Sequence, residues 1–337
     1  MRPTRRTAAL VALAASAALV VTACGDDGKK KTDQSSVAAG GKDFGGAGQA
    51  TSEMGTDAKP GQFPRTVRTA MGDVVVKEKP KRVVVLDSGE LDNVVALGIQ
   101  PVGVAYTEGS PQMPAYLADK AGKPANVGTT NALNLEAINN LKPDLILGSK
   151  LRAEQQYPQL SQIAPTVFSV RPGFTWKENF RLNAAALDKV DEANKQLSDY
   201  EARAKALGEK LGPNKPTVTM VRFMPGKIRL YANKSLIGTV LQDVGLPRPA
   251  NQNIDDLAVE VSEERITEAD ADRIFVGTYG PADKTAIAKV TDNPLWKNLN
   301  AVKNGKAVTV SDETWFLGLG VEAANRILDD LEKNLAV

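Results

Sequence analysis

Short apolar runs alternate with longer amphipathic stretches along most of the chain. In the first half the apolar runs lie at 83–86, 101–104, 144–147 and 166–170. Runs of this length suit strands that are buried on both faces of a sheet. Strands that alternate with helices indicate a parallel sheet built from βαβ units. We therefore predict an N-terminal α/β lobe over residues 64–174.

Residues 175–212 differ, because apolar side chains recur there at helical steps of three, four and seven residues. Leu187, Val190 and Leu197 begin this series, which marks one face of a helix. The segment has no proline, and no glycine before Gly208. The pattern predicts one continuous helix, about 54 Å long at 1.5 Å per residue. A coiled-coil arm is the alternative interpretation.

The alternation resumes after this segment. Apolar runs lie at 218–221, 228–231, 274–276 and 307–310, and an amphipathic helix over 321–335 closes the chain. These elements predict a C-terminal lobe over residues 213–337. The predicted fold class is α/β, with two βα lobes joined by one long α-helix.

The start of the chain has the features of an export signal. An arginine-rich beginning precedes the apolar run 8–21, and residues 21–24 read Val-Thr-Ala-Cys, the pattern of a bacterial lipobox. Charge, apolar core and small-residue cleavage site follow the order of a secretory signal. We predict a lipoprotein signal peptide over residues 1–23 and lipid attachment at Cys24, the only cysteine. An uncleaved anchor and twin-arginine export are the alternatives.

Lipid attachment at Cys24 would hold the protein at the outer face of the cytoplasmic membrane, and we expect a Gram-positive cell. Residues 24–63 are rich in Gly, Ser, Gln and charged side chains. Such a composition buries too little apolar surface to offset the entropy of ordering. We predict a flexible, lipid-anchored tether, with a partner-binding tail as the alternative.

Charge and composition exclude several classes of function. The net charge is +2, and the chain has no histidine. A nucleic-acid partner is not expected, because such partners require a basic face. Ser–His and Cys–His catalysis is excluded, and a transition-metal site lacks its usual ligands. We expect a non-enzyme that holds no metal or other cofactor directly, although a carboxylate-based or lysine-based enzyme stays possible.

The two predicted lobes echo each other in sequence. Asn134 and Ser262 each precede a predicted helix, and Glu136 and Glu264 lie in the first turns of those helices. A first-turn glutamate is favoured by the helix dipole, which requires no further function. Its repetition on both lobes also suits recognition by a partner.

Candidate ligand-binding side chains follow the predicted strands, where α/β folds place their ligands. Aromatic residues make up only 5% of the chain, so their collection at strand ends is informative. The candidates are Tyr106, Arg152, Arg222, Phe223, Tyr231, Tyr279, Trp315 and Phe316.

Five segments carry a family resemblance: 82–86, 97–103, 141–146, 148–152 and 160–167. With the predicted architecture, they resemble the helix-linked class of periplasmic-type binding proteins of ABC importers. The resemblance covers roughly residues 64–337. Within that class it points to the iron-siderophore-binding branch, and most narrowly to ferrioxamine-binding lipoproteins.

The resemblance implies roles for particular residues. Glu136 and Glu264 would dock onto arginines of the ABC-importer permease. Arg152, and with it Arg222, Tyr279 and Trp315, would surround a ferric chelate, so iron(III) would arrive inside its ligand.

We expect a monomer that binds a ferric hydroxamate siderophore such as ferrioxamine, whose complexes carry little net charge. The alternatives are a haem or cobalamin receptor of the same fold, a surface-anchored enzyme and a purely structural surface protein.

Overall fold

The structure is a computed structural model that describes residues 44–335. The predicted signal peptide, the lipid attachment at Cys24 and the predicted tether as far as residue 43 lie outside the described residues. Within the described part, no helix is both long enough and apolar enough to cross a membrane.

The N-terminal lobe contains a hairpin and a six-stranded sheet. Its strands are β1 (Arg65–Thr69), β2 (Gly72–Val76), β3 (Val83–Val85), β4 (Gly103–Tyr106), β5 (Ala125–Thr129), β6 (Ala132–Leu133), β7 (Leu145–Ser149) and β8 (Thr166–Ser169). The hairpin joins β1 to β2, and the sheet has the order β6-β5-β4-β3-β7-β8. Its central pairings are parallel, and β6 alone runs antiparallel to its neighbour. The predicted parallel core is confirmed.

Helices connect these strands. They are α1 (Ala47–Ser52), α2 (Ser88–Ala96), α3 (Ala118–Ala121), α4 (Leu135–Asn140), α5 (Lys150–Ala153) and α6 (Tyr157–Ile163). Two of them begin where a side chain caps a free backbone N–H group. Asp87 accepts a hydrogen bond from the backbone N–H of Ser88, and Asn134 accepts one from that of Ala137.

The folded part begins earlier than the predicted tether boundary at residue 63. Helix α1 lies inside that range, and its Ala47 and Thr51 are buried. The Phe44 ring packs edge-on against Phe174, with ring centroids 5.9 Å apart. The prediction was wrong over 44–63, because these few contacts order a segment that is poor in large apolar side chains.

The linking segment forms two helices, α7 (Trp176–Leu187) and α8 (Val190–Lys210). The predicted single helix over 175–212 is therefore wrong. Asp188 interrupts it with a left-handed φ of 61°. The Asp188 carboxylate forms an ion pair with the buried Arg65 and accepts a hydrogen bond from the backbone N–H of Gly61. These distant partners stabilise a break that helical spacing does not reveal.

The C-terminal lobe contains a five-stranded sheet. Its strands are β9 (Val218–Met224), β10 (Lys227–Tyr231), β11 (Ala258–Val261), β12 (Arg273–Thr278) and β13 (Ala307–Thr309). Their order is β11-β10-β9-β12-β13. Only β9, β12 and β13 are parallel, whereas β10 pairs antiparallel with both of its neighbours. The regular βα alternation predicted here fails at the β9–β10 hairpin.

Six helices complete this lobe: α9 (Leu236–Val244), α10 (Ile287–Asp292), α11 (Pro294–Lys297), α12 (Asn300–Lys303), α13 (Asp312–Trp315) and α14 (Val321–Asn334).

One continuous hydrophobic core spans both lobes, and α2, α7, α8, α9 and α14 all contribute to it. A buried carboxylate joins the lobes directly. Asp92 on α2 accepts hydrogen bonds from the backbone N–H groups of Glu322 and Ala323 at the start of α14, each at 2.9 Å. Gly320 permits this approach, since a Cβ there would lie 2.4 Å from Asp92 Oδ1. The shared hydrophobic core and the capping of α14 by Asp92 thus hold the two lobes together.

Candidate functional site

The carboxyl ends of the strands of both lobes face a cavity of about 620 Å³, part of which is open to solvent. The N-terminal lobe contributes Asp87 and Arg152, which follow β3 and β7. The C-terminal lobe contributes Tyr231 at the end of β10, and Trp315 and Phe316 at the end of α13. Ligand sites in α/β folds lie at this position, beyond the carboxyl ends of strands.

The N-terminal wall is organised by an ion pair. Arg152 Nε donates a hydrogen bond to Asp87 Oδ2 at 3.0 Å. Asp87 is 1% exposed and also caps α2, whereas the Arg152 side chain is 14% exposed toward the cavity. The cap fixes the carboxylate, and the carboxylate in turn fixes the guanidinium at the wall.

A second carboxyl group lies beneath this pair. Glu90, on the first turn of α2, is buried, and its Oε2 has no hydrogen-bond partner among the described residues. Burial and, to a smaller extent, the nearby charge of Asp87 raise the pKa of Glu90 to about 8. Glu90 is therefore predominantly protonated and neutral at pH 7.

The C-terminal wall is aromatic. Tyr231 and Phe316 pack edge-on with ring centroids 4.9 Å apart. Trp315 stacks on Phe275 at 4.6 Å, and its indole N–H donates to Asp330 at 2.7 Å. Stacking and this hydrogen bond hold the rings in fixed orientations, so the wall is largely preformed.

A second ion pair supports this wall from behind. Arg222 on β9 is fully buried and donates two hydrogen bonds to Asp312, at 2.7 and 2.5 Å. A third bond from Arg222 reaches the Tyr231 hydroxyl at 3.1 Å. The Phe316 and Tyr279 rings lie 5.3 and 4.6 Å from the guanidinium. This cluster locks the aromatic wall in place.

Two further cations line the cavity: Arg171, which is buried, and Lys234, which forms an ion pair with Asp255 at 3.6 Å. The Phe174 ring lies between them, 5.5 Å from the Arg171 guanidinium and 5.1 Å from the Lys234 ammonium. The ring of Phe44, within the range predicted as tether, covers Arg171 at 4.2 Å. Aromatic rings therefore pack against both of these cations.

Comparison with known proteins identifies the family. The profile of a family described as "Periplasmic binding protein" matches residues 83–314. A relative in Bacillus subtilis, the "Probable siderophore-binding lipoprotein YfiY", is 39% identical over 281 residues, which cover 80% of this chain and 86% of that protein. The chain belongs to the periplasmic binding protein family.

Solved structures of other proteins share the fold. Staphylococcus aureus SirA complexed with staphyloferrin B superposes with a TM-score of 0.70 at 33% identity, over 80% of this chain and 98% of that one. The petrobactin-binding protein YclQ of Bacillus subtilis superposes with a TM-score of 0.68 at 28% identity, over 81% of this chain and 98% of that one. The predicted α/β fold with two lobes is confirmed.

The predicted ligand-binding residues of this periplasmic binding protein fall into four groups. Arg152, Tyr231, Trp315 and Phe316 line the main cavity. Tyr106 lines a smaller neighbouring pocket that shares Ser88, Thr107 and Leu317 with it.

The two remaining groups do not line the cavity. Arg222 and Tyr279 lie behind its aromatic wall. Phe223 belongs instead to the core on the other face of β9, where it packs on Trp296 at 6.0 Å. Successive side chains of a strand point to opposite faces, so Arg222 and Phe223 cannot serve one site together.

Sequence reasoning missed Asp87, Arg171 and Lys234. Asp87 directly follows the apolar run at 83–86, which is the signal that identified the other candidates. Asp87 caps α2 and lines the cavity at once.

The two predicted docking glutamates lie on corresponding elements. Glu136 is exposed in the first turn of α4, and Glu264 is exposed in a 3₁₀ helix over Glu263–Ala269. Their surroundings differ, since the neighbouring Glu263 pairs with Lys289 at 2.6 Å. Both glutamates are accessible to a partner.

No group of three or more acidic, histidine or cysteine side chains within residues 44–335 is placed to hold a metal ion. The cavity is lined by charged side chains, hydroxyl groups and aromatic rings.

Stability is expected to fall as pH rises from about 5 to 8. The folded protein keeps the Glu90 proton up to about pH 8, whereas an unfolded chain releases it near 4.5. The folded state therefore binds more protons in this window, and the free energy of unfolding decreases with rising pH. Asp92 also makes the free energy of unfolding decrease with rising pH, because burial raises its pKa to about 7.

Glu90→Gln tests this prediction by thermal unfolding at pH 5 and pH 8. The variant should match the wild type at pH 5 and melt several degrees higher at pH 8. Glu154→Gln, on an exposed side chain, is the control and should preserve the wild-type pH dependence. An unaltered pH dependence in Glu90→Gln would refute the assignment.

Proposed function

We propose that this periplasmic binding protein captures a ferric siderophore in the cavity between its lobes and delivers it to an ABC-importer permease. The observation that carries the proposal is Arg152 on one wall facing Tyr231, Trp315 and Phe316 on the other. Iron(III) already wrapped in an organic chelator needs apolar rings and a few charged donors, and no direct ligands from the protein. The names of YfiY, a probable siderophore-binding lipoprotein, and of the SirA–staphyloferrin B complex support it.

Within this class we propose a hydroxamate siderophore such as ferrioxamine. Three hydroxamates neutralise the three charges of iron(III), so the complex requires packing more than charge. The cavity supports this choice, because Asp87 neutralises Arg152 and the facing wall is aromatic.

A ferric carboxylate siderophore is the second candidate, and the additional cations of the cavity favour it. Arg171 and Lys234 line the cavity together with Arg152. Related proteins carry names for such ligands, among them the Fe(3+)-citrate-binding protein YfmC of Bacillus subtilis, which is 30% identical over 294 residues.

The proposal includes the place where delivery occurs. Lipid attachment at Cys24 would hold a monomeric receptor at the outer face of the cytoplasmic membrane, in a Gram-positive cell. Glu136 and Glu264, one on each lobe, would then contact the permease.

Titration of tryptophan fluorescence with ferric siderophores tests the proposed ligand. Trp315 lines the cavity, whereas Trp176 and Trp296 are buried elsewhere. Ferric hydroxamates should quench the emission at micromolar concentrations and raise the melting temperature. A preference for ferric citrate would replace the hydroxamate class with the second candidate.

Two variants check that quenching reports on the cavity. Trp315→Phe should lose most of the quenching, whereas Trp296→Phe should retain it. If no ferric siderophore quenches the wild type or raises its melting temperature, the proposed function is wrong.

A further inference from the structure

We propose that Asp87 sets the charge selectivity of the cavity, because it holds Arg152 in an ion pair and so disfavours anionic ferric complexes. This inference rests on the proposed function and deepens it. It assigns the preference between low-charge and anionic siderophores to one carboxylate that does not have to touch the ligand.

Asp87 and Arg152 both line the cavity, and the Arg152 guanidinium is the more exposed of the two groups. Asp87 is 1% exposed, and the Arg152 side chain is 14% exposed. Their hydrogen bond uses Arg152 Nε. The two terminal nitrogens of Arg152 form no hydrogen bond with any described residue, so they remain available to a ligand.

The ion pair removes most of the attraction that Arg152 would exert on an anion. A ligand bound at the terminal nitrogens of Arg152 lies only slightly farther from the Asp87 carboxylate than from the Arg152 guanidinium. At such distances, in a partly buried site, one unit charge changes the affinity about tenfold for each unit of ligand charge. Asp87 therefore weakens anionic complexes, favours cationic ones and leaves neutral complexes nearly unaffected.

The neighbouring carboxyl group does not take over this role. Glu90 does not line the cavity, and its Oε2 has no hydrogen-bond partner among the described residues. Asp87 is thus the carboxylate that is paired with Arg152 at the cavity wall.

Asp87→Asn removes the charge and preserves the local structure. Asparagine caps helices about as well as aspartate, so the hydrogen bond from the Ser88 N–H can persist. Asp87→Ser is a second capping variant with the same loss of charge. Asp57→Asn is the matched control, because Asp57 also pairs with an arginine, Arg68, but is exposed and does not line the cavity.

The experiment measures the dissociation constants of three ferric complexes: neutral ferrioxamine E, ferrioxamine B with its additional ammonium group, and anionic ferric citrate. Asp87→Asn and Asp87→Ser should each shift the preference for ferric citrate over ferrioxamine E by about tenfold or more toward citrate. The same two variants should lower the preference for ferrioxamine B over ferrioxamine E, because its ammonium group loses the attraction of Asp87. Asp57→Asn should shift neither preference.

The double variant Asp87→Asn with Arg152→Gln tests whether the uncovered charge is that of Arg152. It should return the citrate preference to within about threefold of the wild-type value, because it removes the uncompensated cation together with the anion. Unchanged preferences in both Asp87 single variants, or a double variant that keeps the full shift of Asp87→Asn, would overturn the inference while the proposed function stands. Failure of the wild type to bind any of the three complexes would overturn both.

Discussion

Reversing Glu136 and Glu264 to arginine together is expected to abolish siderophore-dependent iron uptake and to leave the affinity for the ligand unchanged. Both side chains are exposed, one on each lobe, and neither lines the cavity. A receptor that docks through both lobes needs both contacts at once. Two like charges placed against a basic partner replace attraction with repulsion.

Uptake of radiolabelled iron by cells that carry the variant as their sole copy measures this effect. Each single reversal should reduce uptake partially, because one lobe still docks. The control is Asp191→Arg with Asp199→Arg, two exposed positions on α8 that change the net charge equally. Full uptake by the Glu136 and Glu264 double variant would disprove docking through these side chains, as would an equal loss in the control.

Replacing Asp312 by alanine is expected to produce the largest loss of stability. Arg222 is fully buried and shares two hydrogen bonds with Asp312, so the substitution leaves a buried guanidinium without its counter-ion. Breaking a buried ion pair from one side costs about 3–5 kcal/mol. For a domain of this size we expect a fall in melting temperature of roughly 10 °C.

The same variant should weaken ligand binding, because Arg222 also holds the Tyr231 hydroxyl and lies against Phe316. Asp57→Ala, which breaks the exposed pair with Arg68, should leave the melting temperature nearly unchanged. A melting temperature of Asp312→Ala within about 2 °C of the wild type would show that the buried pair contributes little.

Regular elements were predictable where the local pattern decides the structure. The apolar runs at 83–86 and 274–276 form central strands because they are buried on both faces. The break at Asp188 was not predictable, since it depends on Arg65 and Gly61, which are distant in sequence.

In the candidate site, too, some residues were predictable from the local sequence and others depend on contacts between distant residues. The expectation that ligand-binding side chains lie at the ends of strands correctly identified Arg152 and Tyr231, which line the cavity. The same expectation wrongly included Phe223. Strand β9 is buried along its whole length, so its sequence has no alternation of polar and apolar residues that would show which side chains face the cavity. The pairing of Asp87 with Arg152 joins residues that follow different strands and are 65 positions apart, so only the folded structure reveals it.

The account is tested most directly by equilibrium dialysis of the purified chain against ferrioxamine and against the same hydroxamate without iron. We predict that the chain retains one ferric complex per molecule at micromolar concentrations and binds the iron-free chelator far more weakly. The iron-free chelator lacks the compact shape that the aromatic wall and Arg152 would enclose. Retention of no ferric siderophore, hydroxamate or carboxylate, would contradict the assignment of this cavity to iron capture.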